Sequence, residues 1–168
     1  MVTLSEESMI PLHRVLMATD FSAYSKEAMD YAVYLVKVLG ADLYLLHVFE
    51  LPFFSHTGVT PSIRPEVHQW IKEIKQGELA KLNTLAEETR HQGIKVDSIF
   101  KEGTPFLEIL KTAQEIPADL IVLGTHGRSG LSHVLMGSVA ERVVRKASCP
   151  VFTVRPTALI GMKGAEPS

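Results

Sequence analysis

Cysteine is nearly absent. Cys149 is the only one in 168 residues, so no intrachain disulfide can form and a reducing compartment suits the chain. Its position before Pro150 reads as a small, buried or half-buried residue rather than a reactive thiol. Charge of one sign is also lacking. Seventeen Lys and Arg against nineteen Asp and Glu leave a net charge of −2. That balance lacks the basic footprint of a duplex-DNA or anionic-membrane binder, so neither nucleic acid nor membrane is expected as a partner. No run approaches the roughly 18 apolar residues of a membrane span. Glu6, Glu7, Pro11, His13 and Arg14 interrupt the N-terminal stretch too early for a signal peptide, and a cytoplasmic location is expected.

The common catalytic and nucleotide signatures are missing as well. No Gly-Lys-Ser/Thr occurs, which excludes a Walker A loop, and no G-x-G-x-x-G follows the first apolar run. There is no G-x-S-x-G elbow and no H-E-x-x-H, and no carboxylate pair stands out for acid–base work. His47, His126 and His133 read as core or loop histidines, and no metal site made of protein side chains is expected.

What is present is a core: 46% of the residues are hydrophobic and 21% charged, the composition of one globular domain. Residues 13–19 (HRVLMAT) and 43–49 (LYLLHVF) are apolar runs that suit strands, the second covered on both faces. Between them Ala28, Tyr31, Ala32, Leu35, Val36 and Leu39 recur at helical spacing, and Gly40 stops the helix. Residues 50–64 form the one long loop. A helix then runs from Pro65 to about Gln92, with Val67, Ile71, Ile74, Leu82 and Leu85 on its apolar face, Gly77 as a weak point and Gly93 at its close. A third strand is expected at 94–101, alternating through Ile94, Val96, Ser98 and Phe100. Thr104 and Pro105 read as N-cap and first residue of a helix to about Glu115. Residues 119–123 (DLIVL) make a buried strand, 138–147 a helix and 150–154 an edge strand opened by Pro150. Residues 1–12 are read as an arm, 13–155 as a single domain and 156–168 as a tail. Strands alternating with helices predict an α/β fold with a parallel sheet wound on both faces.

In such sheets ligands bind beyond the carboxyl ends of the strands, where strand order reverses. Two strand ends carry unusual residues, Thr19-Asp20-Phe21-Ser22 after the first and Gly124-Thr125-His126-Gly127-Arg128-Ser129-Gly130 after the fourth. If those strands are neighbours, Asp20 faces the glycine loop across one crevice. Gly124 and Gly127 can take positive φ and admit a ligand close to the backbone. Gly137-Ser138 opens a helix whose free N–H groups attract phosphate, with Arg128 as a mobile countercharge. The plainer alternative is a tight turn that needs glycine for steric reasons alone.

The spacing Gly124-x2-Gly127-x9-Gly137-Ser138 matches the G-2x-G-9x-G-[S/T] nucleotide-binding motif, and the chain resembles the universal stress protein family. The resemblance extends to residues 15–22 (VLMATDFS), 45–48 (LLHV) and most of 118–154. It implies an open five-stranded parallel sheet in order 3-2-1-4-5, Rossmann-like in type. It also implies ATP binding, with Mg2+ or Mn2+ held mainly by the phosphates. By position, Val48 would hold the adenine through its backbone and Asp20 would contact the ribose. Gly124, Gly127, Gly137 and Ser138 would surround ribose and phosphates. Ala18, Thr19, Thr125, His126, Arg128, Gly130 and Val139 complete the candidate cofactor-binding set. The family often has proline where this chain has Ala18. The implied role is an ATP-binding, nucleotide-sensitive stress regulator rather than an enzyme; the rivals are a nucleotide-free dimeric module and a slow ATP hydrolase. The uncharged edge strand 150–154, Pro150 to Val154, is expected to pair with a second copy as a homodimer.

Overall fold

The computed structural model describes residues 11–51, 65–127 and 136–155. Most of the expected arm, the expected tail, and Arg128 and Gly130 of the candidate site lie outside the described residues. The elements follow one another as β1 (Arg14–Thr19), α1 (Ala23–Leu39), β2 (Asp42–Phe49), α2 (Pro65–Arg90), β3 (Val96–Glu102), α3 (Pro105–Glu115), β4 (Leu120–Gly124), α4 (Ser138–Lys146) and β5 (Val151–Val154). The strands form a single five-stranded sheet in the order β3-β2-β1-β4-β5, and every pair is parallel.

Alternation along the strands divides the interior in two. Val15, Met17, Leu43, Leu45 and Val122 face α1 and α2, where Ala28, Ala32, Val36, Leu82 and Ala86 meet them. Leu16, Leu46, Ile121 and Leu123 face α3 and α4, against Ile109, Ala113, Ala140 and Val143. Each of these strand side chains is essentially withdrawn from water, worth about 1.5–3 kcal/mol apiece before entropy is counted. Because both faces are covered, the strands read as continuous apolar runs.

Local chemistry sets the ends. Ser22 caps α1 by accepting the Ser25 N–H (3.3 Å), and Gly40 closes it in the left-handed region at φ 65°. Gly93, at φ 80°, turns the chain after α2, and the Arg90 guanidinium donates twice to Val96 O (3.0 and 2.8 Å). Gly77 leaves α2 unbroken. Thr104 does precede α3 with Pro105 in the first turn, but its hydroxyl makes no capping bond; the Leu107 and Glu108 amides bond to its carbonyl instead. β3 begins two residues later than the alternation suggests, since Ile94 is buried ahead of the ladder and the pairing is entered through Lys95 O, which accepts from Leu43 N–H (3.0 Å).

At the opposite end of the sheet, Asp119 ties β4 to β1. Its Oδ2 accepts the backbone N–H groups of His13 (2.9 Å) and Arg14 (2.8 Å). Burial alone would raise this carboxyl; the two amides and the Arg14 charge outweigh it and hold the group below its ordinary value. A depressed folded value means the stabilisation is complete above the unfolded carboxylate value near 4 and vanishes as pH falls through the folded one. Asp119→Ala is expected to lower stability by about 1 kcal/mol at neutral pH. Urea unfolding should show that difference shrinking in acid; an undiminished difference would remove the carboxylate from the account. Cys149 is half-buried among the second core, and burial, helped by the Asp119 charge, pushes its thiol up.

Candidate functional site

β1 and β4 are neighbours, with Ala18 opposite Leu123, and from this pair the sheet is built outwards in both directions. Their carboxyl ends therefore open on the switch point, as the pattern of residues required. A cleft of about 670 Å3 lies there. That volume falls within the roughly 300–1,000 Å3 usual for small-molecule sites. Ala18, Thr19 and Asp20 line it from β1 and its turn, Val48 from β2, Gly124, Thr125, His126 and Gly127 from the end of β4, and Gly137, Ser138 and Val139 from the start of α4. Every candidate residue within the described part of the chain thus borders one cavity.

The β1 turn is held from several directions. Thr19 Oγ1 accepts the Phe21 N–H (3.1 Å), and Asp20 Oδ1 accepts the Ser22 N–H (3.0 Å). Thr19 and Ser25 hydroxyls meet at 3.1 Å, and Ser25 Oγ donates to Ser22 O (3.0 Å). Phe21 sits at φ 62°, a left-handed conformation costing a bulky residue about 1–3 kcal/mol. Something in the surroundings enforces it.

The glycines are needed, but not for the expected reason. Gly124 and Gly127 do not take positive φ; among the described residues Gly40, Gly93 and Gly103 do. They are required by close approach. A Cβ on Gly124 would lie 2.9 Å from the backbone carbon of Tyr24, so this glycine lets α1 reach the strand end. A Cβ on Gly127 would lie 2.7 Å from Asp20 Oδ2, and one on Gly137 3.2 Å from Thr125 O. The steric reading thus holds at Gly124, while Gly127 keeps the space beside the Asp20 carboxylate open. Gly137 N–H donates to Thr125 O (2.7 Å), which brings the first turn of α4 to the cleft. His126 is buried, with Nδ1 3.1 Å from Thr125 Oγ1 and its ring 5.2 Å from Tyr24.

The sequence reading missed one pair altogether. His47 and Glu78 both line the cleft and are 2% and 8% exposed. His47 Nδ1 is 2.8 Å from Thr19 O, and Nε2 is 2.8 Å from Glu78 Oε2. A carbonyl can only accept, so Nδ1 carries a proton and the second contact shares one more. A signal existed: the apolar face of α2 runs Ile71, Ile74, Leu82, Leu85, and its missing position is filled by Glu78. A carboxylate on an inward stripe needs a partner. Among the described residues no three His, Cys, Asp or Glu gather to hold a metal ion, and no helix is long and apolar enough to cross a membrane.

The fold and site together define a doubly wound α/β protein with a cleft at the switch point. The model of the universal stress protein family matches residues 11–155, and the chain belongs to that family. Universal stress protein MJ0531 of Methanocaldococcus jannaschii is 37% identical over 142 residues, 84% of this chain and 81% of the relative. Among solved structures, universal stress protein UspA from Lactobacillus plantarum superposes with a TM-score of 0.77 over 88% of this chain and all of its own, at 23% identity. Two further structures are nucleotide complexes. One is a universal stress protein with cAMP, at TM-score 0.64 and 22% identity over 87% of this chain and 98% of its own. The other, from Archaeoglobus fulgidus, holds dAMP, at TM-score 0.54 and 24% identity over 86% of this chain and 98% of its own.

Proposed function

We propose that this chain binds ATP in the switch-point cleft and acts as a nucleotide-sensitive regulator of the stress response in the cytoplasm. The observation that carries this reading is the convergence on one cavity of Asp20, the glycine end of β4 and the first turn of α4. Two features support it: Gly127 carries no side chain beside Asp20 Oδ2, and the first-turn amides of α4, which lack intrahelical partners, suit an anion. The cAMP and dAMP complexes of family members point the same way. Asp20 would accept from ribose hydroxyls, the Val48 backbone would meet the adenine, and the phosphates would lie along Gly124, Gly127, Gly137 and Ser138. Mg2+ or Mn2+ would ride on the phosphates. A regulator is favoured over a hydrolase because His47, which could otherwise serve as a base, has both ring nitrogens engaged by Thr19 and Glu78.

Saturating Mg-ATP is expected to bind one per chain and to raise the melting temperature by mass action. Asp20→Ala should weaken ATP by roughly tenfold, about 1.4 kcal/mol, yet spare inorganic triphosphate, because the carboxylate accepts from hydroxyls and repels phosphate. Calorimetry on both ligands decides it. Equal losses would move Asp20 from the ribose to the metal, and no heat with ATP would end the reading.

The same proposal includes a homodimer through β5, which lies at the sheet edge. Ile121 N–H donates to Pro150 O (3.0 Å) and Thr125 N–H to Val154 O (2.9 Å). Those carbonyls face β4, so alternation turns the amides of Val151 and Thr153 outward and that of Phe152 inward. Phe152, 38% exposed, and Tyr31, 44% exposed, put two aromatic rings in contact beside this edge. Thr153→Pro should therefore split the dimer while keeping the fold, whereas Phe152→Pro should break the β4 ladder. Light scattering tests it: a monomeric wild type would end the dimer reading, and a Thr153→Pro dimer would place the interface elsewhere.

A further inference from the structure

Phe21, next to Asp20 of the cleft, sits in the left-handed region, and a neighbouring ring holds it there. Its ring lies 4.4 Å, centroid to centroid, from that of His47. His47 in turn donates from Nδ1 to Thr19 O, the last carbonyl of β1 before Asp20. The imidazole thus touches the turn twice, by a hydrogen bond before Asp20 and by a ring after it. Glu78, on α2, fixes the imidazole through Nε2, and Phe100 of β3 packs on it at 5.7 Å. The carboxylate between the two contacts has little freedom left: Oδ1 takes the Ser22 N–H and Oδ2 stands beside Gly127.

We propose that Glu78 and His47 are positioning residues for ligand binding: the pair clamps the strained Thr19–Ser22 turn so that the Asp20 carboxylate is aimed into the cleft before a nucleotide arrives. A group preset in its bound geometry loses less freedom on binding. The strain at Phe21 persists because the buried pair over-determines it. Glu78 lies 58 positions along the chain from Asp20, and the imidazole of His47 links it to the turn that carries Asp20. The proposal rests on the reading of Asp20 as the ribose acceptor, and its test separates the two.

The variants are Glu78→Leu, Glu78→Gln, Asp20→Ala and the double variant Asp20→Ala/Glu78→Leu, titrated with Mg-ATP and with inorganic triphosphate. Glu78→Leu frees the imidazole and is expected to weaken ATP about tenfold, the lower end for loss of a group that orients a binding residue. Triphosphate should be unaffected. Glu78→Gln offers Nε2 both an amide N–H and a carbonyl oxygen, so it can pair with the ring in either tautomer and should restore ATP affinity to within about twofold of wild type. In the Asp20→Ala background, Glu78→Leu should add nothing, because the residue it acts through is gone. A merely structural role would give the same loss in both backgrounds, and that result overturns the proposal. Hydrogen exchange of the Phe21 and Ser22 amides in the unliganded protein supplies a readout free of nucleotide. Faster exchange in Glu78→Leu, reversed in Glu78→Gln, supports the clamp even if the wild type takes up no ATP, in which case the ATP reading falls alone. Wild-type exchange in Glu78→Leu overturns the clamp whatever binds. Should Glu78→Leu fail to fold, Phe21→Gly enters the same cycle, since glycine accepts the turn's φ and removes the ring from His47; additive losses with Asp20→Ala overturn the proposal there too.

Discussion

Valine at position 127 is expected to reduce ATP affinity by on the order of a hundredfold, about 2.7 kcal/mol, with the fold unharmed. The added Cβ would stand 2.7 Å from Asp20 Oδ2, and the branched methyls would crowd the cleft that Gly127 and Asp20 line. The obstacle is the end of one side chain, so it can move aside. Doing so releases the Ser22 N–H from Oδ1, one hydrogen bond worth about 1 kcal/mol in a half-exposed turn. Folding therefore tolerates the change while the binding geometry does not. Gly124→Ala is the contrast. Its Cβ would press on the backbone of α1, with Tyr24 carbon at 2.9 Å and oxygen at 3.0 Å, and backbone cannot step aside. That variant should destabilise by about 1–3 kcal/mol. Calorimetric titration beside thermal melting separates them. Wild-type affinity in a natively folded Gly127→Val would place the nucleotide away from this glycine.

His47→Leu should be strongly destabilising, at about 3–5 kcal/mol, because it breaks a buried hydrogen-bonded pair and also removes the bond to Thr19 O. Glu78 would lose the imidazole bonded to its Oε2 (2.8 Å). The two ring contacts, to Phe21 and Phe100, would go as well, and with them the support of the Phe21 backbone. For a chain of this size that loss corresponds to a fall in melting temperature of roughly 10 °C or more. The double variant His47→Leu/Glu78→Leu should recover part of it, since two apolar groups of fitting shape need no partner. Urea unfolding of the single and double variants measures both effects. A single variant within about 1 kcal/mol of wild type would show that the pair is not closely coupled to the fold.

Much of the fold was legible because the strands are covered on both faces. Runs such as LYLLHVF and DLIVL have few alternatives, and β2 and β4 fall on them within a residue. Gly40 and Gly93 mark helix ends by chemistry that acts locally, and they sit where they should. β3 was misplaced because Ile94 is buried without being laddered, a distinction hydrophobicity cannot express. Strand order is a non-local property, and it came from the family resemblance rather than from periodicity. The glycines of the site were recognisable, but their cause was not: the neighbours of Gly124 and Gly127 are Tyr24 and Asp20, about a hundred positions away. His47 and Glu78 were invisible as a pair for the same reason, although each was anomalous where it stood.

Cys149 gives the β5 end of the sheet a chemical clock. The thiol is half-buried against the second core and pushed up in pKa, so little thiolate is available to a modifying reagent in the folded state. It is the chain's single cysteine, which makes the labelling signal unambiguous. Its alkylation rate at fixed pH, set against that of the unfolded chain, would measure how far the folded segment leading into Val151 shields the sulfur. Such a ratio reads the cover on one sheet margin, with the chain's own thiol as the reporter.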